Sequence, residues 1–234
     1  MITSLIKSGT TLSHTRSSVM PTDAFATLFT TWAENDLLSI KDLRLKTITL
    51  LSLYLMLRPS DIAPKSSHFS SQDQTIHMNC FSIDNVVFNS DGSALFTFFG
   101  IKNDLSRSGF QVTLQPHVDI KLDGVLTLKS YIDRTNVCRN ACPHNAIFLT
   151  LQPPYSPLSA SAVSNVLNNA IALAGLKDMG FTAKSFRPTG ATNAISNNVD
   201  PKIVQQVGRW KSTDVFYQHY VHSKPPKSFS ESVI

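Results

Sequence analysis

The chain has 234 residues, of which 42% are hydrophobic and only 16% charged, with a formal net charge of +5. That is enough chain and enough apolar side chain for a substantial packed core, so disorder over most of the length is excluded, and no apolar run reaches the roughly 20 residues of a membrane-spanning helix. The basic surplus suits a polyanion without establishing one, and three cysteines, Cys80, Cys138 and Cys142, make no disulfide framework and point to a reducing compartment.

Residues 1–20 are polar and basic, with Lys7, His14 and Arg16 but neither an apolar signal core nor an amphipathic period. They read as a mobile basic arm. Pro21, Thr22 and Asp23 are a helix start. Phe25, Leu28, Phe29 and Trp32 then recur at i, i+3, i+4 and i+7, an apolar face that reads as core rather than as a platform for stacking bases. A second helix is expected over residues 39–57, apolar nearly all round through Ile48, Leu50, Leu51, Leu53, Tyr54, Leu55 and Leu57. Pro59 stops it, holding Arg58 extended at its end, with Asp61 in reach as an ion-pair partner.

The period then changes. Residues 75–78, 83–88, 94–101 and 110–114 are short runs rich in Val, Ile, Phe and Thr, separated by turn material at 89–92 and 102–109. They predict an antiparallel sheet of about three strands. Lys102 falls where a strand gives way to a hairpin loop that also carries Arg107. A helix follows over about 123–133, with Val125, Leu128, Tyr131 and Ile132 on one face. Cys138, Cys142 and His144 are zinc-ligand types, yet no fourth ligand stands nearby, so this stretch reads as a loop without metal. Residues 147–150 suit a short strand, and Pro153, Pro154 and Pro157 keep the next stretch extended. Ser159 caps a helix whose face is Val163, Val166, Leu167, Ala170, Ile171 and Ala174, and Gly175 closes it.

At the C-terminal end Lys184 and Arg187 are three positions apart and share a face at a helix start, with Pro188 in the first turn. A cation at the positive end of a helix calls for an anion opposite it, and a phosphate would serve. A short helix with Ile203, Val204 and Val207 ends at Gly208. Arg209, Trp210 and Lys211 follow, and then two tyrosines, Tyr217 and Tyr220, seven and ten positions beyond Trp210.

The hexapeptide 57–62 (Leu-Arg-Pro-Ser-Asp-Ile), the segment Gly-Ile-Lys-Asn-Asp at 100–104, the Lys-x-x-Arg box at 184–187, Gly208-Arg209-Trp210 and the closing tyrosine resemble, in order, the catalytic domain of tyrosine recombinases (phage-type integrases). The resemblance is nearest to eukaryotic mobile-element members such as the Crypton-like ones. It implies an α+β fold, mostly helical with a small three-stranded antiparallel sheet, over residues 21–225, between an arm (1–20) and a tail (226–234). It also implies catalytic Arg58, Lys102, Lys184, Arg187, Trp210 and Tyr220, with Tyr217 as the other candidate nucleophile because the family's usual spacing falls between the two. Lys184 stands where the family more often has histidine. Arg107, Arg209 and Lys211 are expected to contact the DNA backbone.

The partner so implied is double-stranded DNA, bound by a homo-oligomer that becomes a synaptic tetramer, away from membranes, in the nucleus if the origin is a eukaryotic mobile element and otherwise in the cytoplasm. The reaction exchanges one phosphoester for another through a 3′-phosphotyrosine, which calls for neither metal nor other cofactor. Two arginine forks hold the phosphate, Lys102 protonates the leaving 5′-oxygen, and nearby cations favour the phenolate of a phenol whose ordinary pKa is about 10. The family usually places a helical DNA-clamping domain before the catalytic one, and only about 20 residues precede the first expected helix here, which fits a fragment, a decayed copy or a minimal domain. Two other readings stand beside recombination: a type IB topoisomerase, and a catalytically silent DNA-binding module.

Overall fold

The computed structural model describes residues 19–64, 81–99, 109–140 and 142–220. The arm up to residue 18, the expected strand at 75–78, Cys80, Lys102, Arg107 and the tail lie outside the described residues.

The elements run α1 (Asp23–Thr30), α2 (Ile40–Tyr54), α3 (Pro59–Ile62), β1 (Val86–Phe88), β2 (Ala94–Phe98), β3 (Phe110–Leu114), α4 (Gly124–Arg134), α5 (Asn136–Arg139), α6 (Ala160–Leu173), α7 (Phe186–Ser196), α8 (Pro201–Gly208) and α9 (Thr213–Tyr220). The expected α+β architecture is observed: mostly helices, with one three-stranded antiparallel meander in the order β1-β2-β3.

α2 is the axis. Ser39 caps it by accepting the Asp42 amide at 3.1 Å. Its residues from Leu43 to Leu53 are all buried, because α4, α6 and α7 pack around it. The buried Thr47 and Thr49 hydroxyls donate to the carbonyls four residues back, at 2.6 and 2.8 Å, so they enter the core without unpaired donors. α6 is capped by Ser159 as its sequence indicates, and α4 by Asp123, whose carboxylate accepts the Val125 and Leu126 amides. Gly175 takes a left-handed φ of 74° after α6.

α7 is fixed by close contacts at its first turns. Phe186 packs on Phe25 with ring centroids 5.4 Å apart, Thr189 Oγ1 accepts the Met20 amide at 2.9 Å, and Gly190 lies so near α2 that an added Cβ would stand 2.2 Å from the Leu53 carbonyl oxygen.

Two expected strands differ. Residues 83–85 form a turn of 3₁₀ helix before β1, because the Ser82 hydroxyl accepts the Asp84 amide and offers the backbone a local alternative to the sheet. Residues 147–150 make only isolated bridges: Leu149 pairs with Pro157, which has no amide to extend a ladder. Cys142 donates its thiol hydrogen to the Cys138 carbonyl at 3.2 Å, and among the described residues no three His, Cys, Asp or Glu side chains converge on a metal position.

Candidate active site

The site is built from helix ends. α2 stops in a left-handed turn at Met56, φ 51°, with the Leu57 amide reaching back to the Ser52 carbonyl at 3.2 Å. α8 stops the same way: Arg209 has φ 59° and the Trp210 amide bonds the Gln205 carbonyl at 3.1 Å. The two turns expose the Met56 and Gly208 carbonyls toward one point, and Arg187 occupies it. Its Nη1 donates to Met56 O at 2.7 Å and its Nη2 to Gly208 O at 2.6 Å. Here the structure answers the expectation of an anion opposite a cation at a helix N-terminus. Arg187 is only 5% exposed, and the negative ends of two other helices offset the positive end of its own.

Trp210 completes the clamp, its ring lying 3.9 Å from the Arg187 guanidinium carbon. Gly208 is required for this seat, since a Cβ there would fall 1.6 Å from the Trp210 ring. Burial, followed by the charges of Arg58 and Arg209, pulls the Arg187 pKa down to about 9, with Asp61 and Tyr220 acting the other way. The group is still a cation at neutral pH. Its buried Nε–H has no hydrogen-bond partner among the described residues.

Arg58 stands between α2 and α3, its extended backbone set by Pro59 as the sequence indicates. Its amide donates to Asp61 Oδ2 at 2.9 Å, and its half-exposed guanidinium is 4.0 Å from the same oxygen. Lys184 sits on a 3₁₀ turn, Ala183–Ser185, capped by the Thr182 hydroxyl, and is exposed. Arg58, Lys184, Arg187 and Tyr220 all line one open cleft of about 520 Å³, with Ala160 and Ser164 of α6 contributing to its wall. Tyr220 is seated by Trp210 and Phe216, at ring-centroid distances of 4.9 and 5.6 Å. Tyr217 is 37% exposed, packs edge-on to Phe216 and does not line the cleft.

The remaining expected site residues are placed as follows. Trp210 acts on Arg187 rather than lining the cleft. Lys211 is exposed at the turn before α9. Arg209, expected on the DNA-facing surface, is instead turned inward with a side chain 3% exposed. Its left-handed backbone directs it to Asp61 (3.4 Å), the Leu55 and Val207 carbonyls (3.2 and 2.9 Å) and the Phe98 ring (4.3 Å). Asp61, marked by the sequence only as a partner of Arg58, is shared between both arginines. The signal for that was the short Arg-Pro-Ser-Asp spacing, and nothing local announced Arg209.

The fold so described is that of a tyrosine recombinase catalytic domain. By sequence, residues 112–226 match the phage integrase family, a span that includes Lys184, Arg187, Trp210 and Tyr220 but not Arg58 or Lys102. In structure the chain is similar to the XerH site-specific recombinase bound to difH substrate in a pre-cleavage complex (TM-score 0.60, 13% identity, 90% of this chain and 51% of that one). It is also similar to XerA recombinase (0.58, 15%, 92% and 63%) and to a lambda integrase in a dimer bound to a COC′ core site (0.50, 18%, 92% and 62%). The chain thus spans between half and two thirds of the length of these structures. No curated protein matches it by sequence.

Proposed function

We propose that this chain carries out tyrosine-recombinase strand transfer: site-specific cutting and rejoining of duplex DNA through a 3′-phosphotyrosine. The observation that carries the reading is the convergence of Arg58, Lys184, Arg187 and Tyr220 on one cleft. Arg58 and Arg187 hold the non-bridging oxygens of the scissile phosphate and stabilise the charge gained in the pentacoordinate transition state. The Tyr220 oxygen attacks phosphorus. As the Tyr220 O–P bond forms, the P–O5′ bond breaks, and the 5′-oxygen leaves as a hydroxyl with a proton from Lys102. The phenol proton passes to water, since Lys184 as an ammonium has no lone pair to take it. Lys184 contributes charge beside the phosphate in place of the imidazole found more often in the family. Action as a synaptic tetramer, residence in the nucleus and descent from a mobile element belong to the same proposal and rest on the resemblance in motifs.

A nicked suicide duplex tests it. The wild type is expected to form an adduct that survives denaturant, and Tyr220→Phe to form none while still binding DNA. Arg187→Ala should lower the adduct rate on the order of 10²–10³-fold, and Lys184→His should leave it equal or higher. An adduct in Tyr220→Phe but not in Tyr217→Phe would move the nucleophile to Tyr217. No adduct from the wild type with any nicked duplex, even with a helical clamp domain supplied, would hand the chain to the silent-module reading.

A further inference from the structure

We propose that Arg209 is a positioning residue for the strand-transfer site, occupying Asp61 so that the Arg58 guanidinium stays available to the phosphate. The inference rests on the recombinase reading for what Arg58 does, but its geometry stands independently. Asp61 Oδ2 faces three donors: the Arg58 amide at 2.9 Å, Arg209 Nη2 at 3.4 Å and Arg58 Nη1 at 4.0 Å. The nearer guanidinium is the buried one, and the farther is half exposed and lines the cleft. A carboxylate already partnered by a buried cation attracts a second cation weakly. Deprived of Arg209, Asp61 would have Arg58 as its remaining cationic neighbour among the described ion pairs, and Arg58 would close onto it, neutralising one wall of the cleft.

The rest of the Arg209 side chain is held as a strut requires. Nη1 donates to the Leu55 and Val207 carbonyls, which tie the end of α2 to the end of α8, and its guanidinium carbon lies 4.3 Å from the Phe98 ring centre on β2. One side chain therefore sets the α2–α3 corner that bears Arg58 against the turn that bears Trp210 and leads to Tyr220. A lysine has the charge but not the fork, and could serve one acceptor at a time.

The test combines two readouts on the full chain. On the nicked duplex, R209M is expected to slow adduct formation on the order of 10²-fold, the cost of misplacing a catalytic group by about an ångström. R209K should recover part of that loss. R209M combined with D61N should be faster than R209M alone, because the carboxylate that captures Arg58 is gone. A double variant no faster than R209M overturns the capture of Arg58 by Asp61.

The second readout needs no chemistry. Affinity for an intact duplex at low salt is measured for R58A in the wild-type and in the R209M background. The expected result is a clear loss in the first and almost none in the second, since Arg58 is already sequestered. Equal losses in both backgrounds overturn the proposal. Should R209M fail to fold, the same cycle is read in R209K, with a smaller R58A effect than in wild type as the expected result and an equal one as the refutation. A wild type that binds DNA but forms no adduct, even with a helical clamp domain supplied, refutes the recombinase reading, while the cycle still decides the role of Arg209.

Discussion

Replacing Gly208 by alanine sets two effects of opposite sign against each other. Alanine inside a helix is worth about 1 kcal/mol over glycine, and Gly208 is the last residue of α8 with no left-handed φ to protect. Against that, the new Cβ would stand 1.6, 2.3 and 2.6 Å from three carbons of the Trp210 ring, a rigid body that cannot yield by rotating a flexible end. The ring has to leave its seat. It then gives up the face of a buried guanidinium, worth about 2 kcal/mol, and its packing on Phe216 and Tyr220, about 0.5–1.5 kcal/mol for each aromatic pair. The clash wins, and G208A should be less stable by about 2–4 kcal/mol, which for a chain of this length lowers Tm by roughly 4–16 °C. Urea unfolding followed by tryptophan emission measures it, with the native emission itself shifted because Trp210 is displaced. A G208A variant as stable as wild type, with unchanged native emission, would refute the account of Gly208 as the seat of Trp210.

Gly190→Ala should be more damaging still, by about 3 kcal/mol or more at the overpacking limit, because its Cβ meets the Leu53 backbone oxygen at 2.2 Å and two helix axes must separate; circular dichroism against temperature reads the loss. Lys46 is fully buried, its ammonium bonded to Asn35 Oδ1 at 2.8 Å, and burial holds its pKa below the ordinary lysine value. The unfolded chain therefore binds more protons between that lowered pKa and about 10.4, so this group's contribution to stability rises with pH across the window. Urea titrations between pH 7 and 10 should show that Lys46→Met removes part of the wild-type slope, and identical slopes would contradict it.

The corner that presents Arg58 was legible in the sequence because proline acts locally: Pro59 dictates the backbone of the residue before it, whereas the expected stop of the second helix at Pro59 falls earlier, at Tyr54, where the left-handed turn at Met56 ends it. The cap at Ser159 and the strand 110–114 were legible for the same reason, since each is decided within a few residues. What holds Arg187 was not. Its acceptors are the Met56 and Gly208 carbonyls, turned outward by left-handed turns at Met56 and Arg209, two positions filled by residues that carry a β-carbon and so give no glycine signal. Arg209 was misplaced on the surface for a related reason. A lone arginine beside a helix end reads as solvent-facing until its partner Asp61, 148 positions away, is brought to it.

The carbonyl cradle of Arg187 also bears on how freely this architecture can drift. A main-chain oxygen is the same whatever side chain it belongs to, so positions 56 and 208 supply their half of the clamp through the path of the chain. Position 208 is restricted only by the tryptophan above it, and position 56 by the need to turn left-handed while filling a core. Neighbours of the central guanidinium can thus be exchanged one after another without any of its bonds being lost. The trace left in the sequence shrinks to a few side chains, while the backbone that receives them keeps its course.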